Sequence, residues 1–331
     1  DYLLLGAQEE ARKRVEQVRG WRRGALYAQM AEREARQGDF AAARDLIAKA
    51  EAVRAETPGW EGPRIGAQIA EALAVLGDVN SSQRLAEELE AADERQYAGQ
   101  SAATKAQAEA VRGDFEKAMK ALHRVDGDAD VEIAAGRTRG YLDLAREKGL
   151  MPAQRLKALE AGEQSAASLP LWERVGVMTE IAQVHREAGR RERARGMLRK
   201  AEEITASLPA SSSGMIPLVS ELAKGWGRIG DQGKGRALLQ QWEPFAAKAI
   251  DIDRPGAYSR LSSGRRALGD KKEADRLLLL AVASAESLRN ARPRALSAVD
   301  ICLTLGRDGA EPSAEIRRRL ESLLANLKDP W

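Results

Sequence analysis

Small and apolar residues recur with a helical period along most of this chain, and the pattern breaks at glycines of nearly constant spacing. These glycines lie 39, 36, 36, 40, 41, 39 and 37 residues apart, at Gly38, Gly77, Gly113, Gly149, Gly189, Gly230, Gly269 and Gly306. Asp follows five of them, and Arg follows Gly189 and Gly306. Because glycine adopts the left-handed backbone that ends a helix and Asp caps the next one, each unit is predicted to be a helix, a tight turn and a second helix.

The predicted helix pairs carry small residues at matching positions. Eight and seven residues before the glycine, four first helices have Met30-Ala31, Ile69-Ala70, Ile181-Ala182 and Leu222-Ala223. Five residues after it, four second helices have Ala43, Ala118, Ala194 and Ala274. Neither helix of a pair buries its apolar stripe alone, so we expect the pairs to stack as a solenoid. The same register places Val299 in the packing contact of the last repeat.

The pattern resembles the tetratricopeptide (TPR) repeat, a helix–turn–helix of about 34 residues with a Leu-small pair, a Gly-Asp turn and Ala in the second helix. The resemblance covers roughly residues 21 to 328, with a longer period and with aromatic positions replaced by residues such as Glu34, Glu109 and His185. It implies an all-α solenoid, a right-handed superhelix of about eight TPR-like repeats. We predict an N-terminal helix or partial repeat in residues 1–20, then a single array in residues 21–331 that ends in a capping helix.

Composition favours helix and argues against a nucleic-acid binder. Lys and Arg total 53 against 50 Asp and Glu, and this net charge of +3 is too balanced to neutralise many phosphates. The charge is uneven, because residues 1–150 hold 23 basic and 27 acidic residues (net −4) and residues 151–331 hold 30 and 23 (net +7). No apolar stretch reaches the roughly 18 residues of a membrane-spanning helix.

The chemistry available for catalysis is sparse. His123, His185 and the single Cys302 fall where side chains are predicted to pack between helices, and one Cys excludes an intramolecular disulfide. The segment Gly230–Gly235 lies between two predicted helices and lacks the Gly-Lys-Ser/Thr ending of a phosphate loop. We therefore expect no enzyme activity, no metal site and no cofactor. The chain begins with Asp rather than Met, and we predict a cytoplasmic protein, or a periplasmic or secreted one if a signal peptide has been removed.

Candidate binding residues come from the resemblance. In TPR arrays the first helices line the concave surface, and here the corresponding positions lie about 2, 3, 6 and 10 residues before each glycine. In the later repeats they are mostly cationic: Arg139, Arg146, Arg186, Lys224, Arg228 and Arg266. We expect these six side chains to share one face that favours an acidic peptide or a chain-terminal carboxylate. The alternative is a solvated network in which carboxylates such as Asp143 and Glu187 pair with them.

Three functions remain open at this stage. The first is a non-catalytic scaffold that binds a protein or peptide, acidic in character, in the concave groove. The second is the sensor or oligomerisation domain of a larger multidomain protein. The third is an RNA-binding helical repeat, which the near-neutral charge disfavours. The sequence leaves the oligomeric state open.

Overall fold

Helices form all the regular secondary structure that the computed structural model describes, which covers residues 8–91, 98–124, 131–208 and 214–327. The described residues contain 17 helices: α1 (Gln8–Val15), α2 (Trp21–Gln37), α3 (Phe40–Ala55), α4 (Glu61–Leu76), α5 (Val79–Ala91), α6 (Ala98–Val111), α7 (Phe115–His123), α8 (Val131–Arg146), α9 (Pro152–Ala166), α10 (Leu171–Glu187), α11 (Arg191–Ser207), α12 (Met215–Arg228), α13 (Gln232–Lys248), α14 (Arg254–Ala267), α15 (Lys271–Glu286), α16 (Ala291–Arg307) and α17 (Ala314–Ala325). The all-α prediction is confirmed.

These helices pack as repeated pairs. From α2 onward each even-numbered helix packs against the odd-numbered helix that follows it, which gives eight helix–turn–helix units. The chain divides into two compact units between Pro170 and Leu171. In the N-terminal unit the first helices α2, α4, α6 and α8 pack in succession, and in the C-terminal unit α10, α12, α14 and α16 do the same. The fold is therefore a helical-repeat solenoid, and α1, inside the predicted N-terminal helix, packs against α2.

The Gly-Asp turns have the predicted conformation. The turn glycines have positive φ, for example 89° at Gly38 and 94° at Gly230. At four of the five Gly-Asp turns the Asp side chain caps the second helix, with Asp270 as the exception. Asp39 accepts from the backbone N–H of Ala42 at 3.0 Å, and Asp231 accepts from that of Lys234 at 3.1 Å. The glycine-rich segment at Gly230 is thus an ordinary repeat turn. The same capping hydrogen bonds occur at Asp78 and Asp114.

The small positions of the predicted packing pair are buried. Ala31, Ala70, Ala182 and Ala223 are each at most 1% exposed. Their second-helix counterparts are fully buried as well: Ala43, Ala118, Ala194 and Ala274. The predicted register of the helix–helix contacts is therefore confirmed in both units.

Two predicted turns differ from the pattern. Gly149 lacks the positive φ of the other turn glycines, since α8 already ends at Arg146 and Pro152 opens α9. At the last repeat α16 continues through Gly306, and Gly309 takes the left-handed backbone instead, with φ of 58°. The helix continues because the next one begins late, at the Ser313 cap, whose side chain accepts from the backbone N–H of Ile316.

The later turn shifts the register of the last repeat by three residues. The prediction that Val299 packs between helices is wrong, because its side chain is 49% exposed. Cys302, also predicted to pack, is exposed although it lies seven residues before Gly309, so the shift does not explain its exposure. Counted from Gly309, Val299 instead occupies the position ten residues before the turn, which in earlier repeats faces the following first helix.

Candidate functional site

The residue ten positions before each turn glycine lies in the seam between neighbouring first helices. In the C-terminal unit Thr179 of α10 and Ser220 of α12 are buried there. A Cβ atom added to Gly225 would lie 3.2 Å from Thr179 Cγ2, and one added to Gly264 would lie 2.9 Å from Ser220 Oγ. The position thus serves helix packing in these repeats, and its predicted role in ligand contact is wrong there.

Four of the six predicted cations belong to the C-terminal unit, on three successive first helices. Arg186 ends α10, Lys224 and Arg228 lie in the last two turns of α12, and Arg266 lies in the last turn of α14. All four are near the turn end of their helices. Helix α10 packs on α12, and α12 packs on α14. We call these four residues the cationic row.

Arg186 and Arg228 are linked through two polar side chains. Arg228 Nη1 donates to Gln183 Oε1 at 2.9 Å, and Gln183 Nε2 donates to Glu187 Oε1 at 2.8 Å. Glu187 Oε1 is also 3.8 Å from Arg186 Nη2. The network spans neighbouring repeats, and within it Arg228 donates to a neutral amide.

The other two cations of this unit have carboxylate partners. Lys224 Nζ lies 2.8 Å from Glu221 one turn earlier on α12. Arg266 lies 3.0 Å from Asp275 of α15 and 3.9 Å from Asp308, and 14% of its side chain is exposed. Repulsion within the row is therefore already reduced by intervening carboxylates, as the network alternative expects.

Arg139 and Arg146 lie on α8 in the N-terminal unit and are both exposed. Arg146 is 3.8 Å from Asp143 on the same helix. Arg139 stands ten residues before Gly149 but is exposed, and the adjacent Thr138 is fully buried instead. The charge of Arg139 acts on the carboxyl of Glu71 on α4. The structure thus divides the predicted six-residue set between two units.

A groove that the sequence analysis missed lies on the first helices of the C-terminal unit. Its cavity has a volume of about 370 Å³ and lies among the N-terminal halves of α12, α14 and α16. The lining is mainly apolar, with Ile252 and Leu296 53% and 50% exposed. Pro217, Gly256 and Leu296 occupy equivalent positions, thirteen residues before their turn glycines.

Polar groups converge on one wall of this groove. Arg260 of α14 donates to Asp300 Oδ1 of α16 at 2.7 Å, and both side chains line the cavity. The main chain of Arg260 is held by Ser220, whose hydroxyl donates to the Arg260 carbonyl at 2.6 Å. Asp300 Oδ2 lies 3.7 Å from where a Cβ on Gly256 would be, so this oxygen faces the bare backbone of α14.

Glycine and proline on an exposed helix face were the available sequence signal. Pro217 and Gly256 are each the third residue of a first helix, in its first turn, where proline is tolerated, so the signal is weak. Gly256 has no close neighbour that would exclude a side chain. The missing side chain leaves the groove floor open.

The two histidines considered for catalysis, His123 and His185, make contacts within the helical fold. His123 ends α7, and its Nδ1 is 2.8 Å from the Tyr141 hydroxyl, while burial raises the pKa of Tyr141 above its usual range. His185 is fully buried in α10. Within the described ranges no group of three or more His, Cys, Asp or Glu is arranged to hold a metal ion. Nor does any helix in the described part of the chain have the length and apolarity to cross a bilayer.

No protein-family model matches this chain, and no curated protein matches it in sequence. Among solved structures it is similar to the apo form of RapI, with 11% identity, a TM-score of 0.33 and coverage of 79% of this chain and 97% of that chain. It is also similar to NprR in complex with its cognate peptide NprX, with 14% identity, a TM-score of 0.32 and coverage of 96% and 91%. At these identities and TM-scores the two likenesses support no conclusion about the function of this chain.

Proposed function

We propose that this protein is a non-catalytic, TPR-like scaffold whose C-terminal unit binds a peptide in the groove on α12, α14 and α16. The observation that carries the proposal is the groove itself, a cavity of about 370 Å³ with an apolar floor and a polar wall. Clefts of roughly 300–1,000 Å³ with that combination are the usual form of a ligand site. Covering the exposed side chains of Ile252 and Leu296 lowers the free energy by about 25 cal/mol per Å² of apolar surface removed from water.

The lining suggests how a peptide is held. An apolar side chain of the peptide lies against Ile252 and Leu296, and its backbone passes close to α14 because Gly256 has no side chain. Asp300 Oδ2 is positioned to accept a hydrogen bond from a backbone N–H of the ligand, while Arg260 keeps the carboxylate in place. Fixing that carboxylate in advance reduces the entropy lost on binding.

The cationic row extends the site toward the turn ends of the same helices. Arg186, Lys224, Arg228 and Arg266 would contact acidic residues of the peptide beyond the groove. Arg228 is the strongest contributor, since it is exposed and its partner Gln183 is uncharged. The proposed site is confined to the C-terminal unit, and Arg139 and Arg146 belong to the N-terminal unit. Peptide binding in the groove does not depend on this preference for acidic residues.

A peptide selection tests the groove. Random dodecamer peptides displayed on phage are selected on the intact protein and then measured against two variants. Gly256→Trp places an indole in the groove, and Gly233→Trp adds the same side chain on α13 where nothing lies within 4 Å of the new Cβ. We expect selected peptides to lose at least tenfold in affinity for the first variant and to bind the second normally. Equal binding to both variants would remove the groove from the proposal.

A further inference from the structure

Two tryptophans in the N-terminal unit repeat with the period of the fold. Trp21 opens α2 and Trp60 immediately precedes α4, each seventeen residues before its turn glycine. Their rings meet edge to face, with centroids 5.6 Å apart and planes at 63°. Trp60 is 54% exposed. A large indole left this open gains little for the fold, so its surface is available to a partner.

Two arginines flank the same rings. The guanidinium carbons of Arg22 and Arg64 each lie 5.0 Å from the centroid of the Trp21 ring, so they are at most twice that distance apart. Neither has a carboxylate within 4.0 Å among the described residues, and Glu61, one turn before Arg64 on α4, is not close enough to pair. This contrasts with the cationic row of the C-terminal unit, where Lys224 and Arg266 have carboxylate partners.

We propose that Trp21, Arg22, Trp60 and Arg64 form a second binding site, which takes a short acidic peptide segment with a proline or aromatic ring beside Asp or Glu. The ring packs on the exposed face of Trp60. The adjoining carboxylate bridges Arg22 and Arg64, whose planar guanidinium groups suit carboxylates and whose mutual repulsion it relieves.

The charge of the surrounding chain favours a short peptide over a longer polyanion. Residues 1–150 have a net charge of −4, and within residues 51–100 four basic residues face ten acidic ones. A nucleic acid or an anionic membrane would bring many negative charges to this region, whereas one or two carboxylates meet only the local cations. The site uses residues of the N-terminal unit alone, so it can be tested independently of the groove.

The test begins with the groove filled. Dodecamer phage selection is carried out on the full chain with Gly256→Trp, and the selected peptides are synthesised for titration by fluorescence polarisation. We expect them to be rich in Asp or Glu next to Pro, Phe, Tyr or Trp. The double variant Arg22→Glu/Arg64→Glu should weaken binding at least thirtyfold. Trp60→Ala, at a side chain that is 54% exposed, should weaken it about tenfold.

The control is Arg44→Glu, a charge reversal at an exposed arginine of α3. It should leave the affinity unchanged, and circular dichroism should show all variants folded. The proposal is overturned if selection yields no binder, if the peptides lack acidic residues, or if Trp60→Ala binds them like the parent. It is also overturned if a dT12 oligonucleotide or phosphatidylserine vesicles bind this site more tightly than the selected peptides do.

Discussion

The hydroxyl of Ser82 donates a 2.8 Å hydrogen bond to the carbonyl oxygen of Ala70. Ser82 lies five residues after a turn glycine and Ala70 seven before it, so the bond joins the two helices of one repeat. In repeat seven the same two positions exchange roles, and Ser262 of the first helix donates to the carbonyl of Ala274 at 2.7 Å. The two helices of a repeat thus approach to hydrogen-bonding distance, which explains why both positions are small.

Substitutions at Ser82 should separate the hydrogen bond from the close approach. Ser82→Ala removes one buried bond and leaves no donor unsatisfied, so it should lower the free energy of unfolding by about 0.5–1.5 kcal/mol. Ser82→Val inserts a larger side chain into a fully buried site and should cost more, about 1–3 kcal/mol. Urea unfolding followed by circular dichroism measures both. Ser207→Ala, at an exposed hydroxyl, serves as the near-neutral control; equal stability of the Ser82 variants would contradict the argument.

Ala182 tests the register of the C-terminal unit in the same way. Its side chain is 1% exposed in α10, and Ala182→Leu should overpack the contact and cost on the order of 1–3 kcal/mol. Ala188→Leu makes the same change at an exposed position just after the helix and should have little effect. Thermal unfolding of the two variants compares them directly. A melting temperature unchanged by Ala182→Leu would refute the packing position.

The periodicity of the sequence predicted most of the fold because the two helices of each repeat have to pack in the same way. Small residues seven before and five after a glycine predict which helices meet, and the structure confirms them. Sequence could not place the last turn, since Gly306 and Gly309 both permit a left-handed backbone, and the Ser313 cap decides between them. The groove was not predicted because its shape depends on the missing side chain at Gly256. Glycine adds neither charge nor hydrophobicity to the sequence pattern.

The residue ten positions before the turn glycine is buried in some repeats and exposed in others. Thr179 and Ser220 fit between first helices there, whereas Arg139 stands at the same position on α8 and is exposed. In α8 the neighbouring Thr138 is the fully buried residue instead.

Glu71 makes the N-terminal unit sensitive to pH near neutrality. Burial raises the pKa of this carboxyl from 4.5 to about 7, and the negative charges of Glu32 and Asp143 add to the effect, while Arg139 and the hydrogen bond from Gln100 oppose it. The Gln100 amide donates at 3.0 Å. Because the folded pKa lies above the unfolded value, the group favours folding fully below about pH 4.5, and that contribution is lost as pH rises through about 7.

Glu71→Gln should remove this dependence. The parent protein should lose stability between about pH 4.5 and 7 relative to the variant and then level off, because the variant carries a neutral side chain of the same shape at every pH. Melting temperatures at half-unit intervals from pH 4 to 8.5 provide the comparison. Glu32→Gln removes a neighbouring negative charge and should shift the transition of the parent to lower pH. Parallel curves for parent and Glu71→Gln would show that this carboxyl is already ionised throughout.

The acidic preference of the proposed peptide site rests on Arg186 and Arg228, which the network through Gln183 and Glu187 joins across two repeats. Both lie at or near the surface, where ion pairs contribute at most about 1 kcal/mol, so the double reversal Arg186→Glu/Arg228→Glu should leave the fold intact. If groove-bound peptides continue into acidic residues, the reversal should abolish their binding. The affinity of the parent should then fall as salt rises, because exposed charges are screened over about 8 Å at physiological ionic strength. Isothermal titration at 50 and 300 mM salt measures both effects. Peptides that lose affinity for Gly256→Trp but bind the reversed protein normally would keep the groove and reject the cationic row as part of the site.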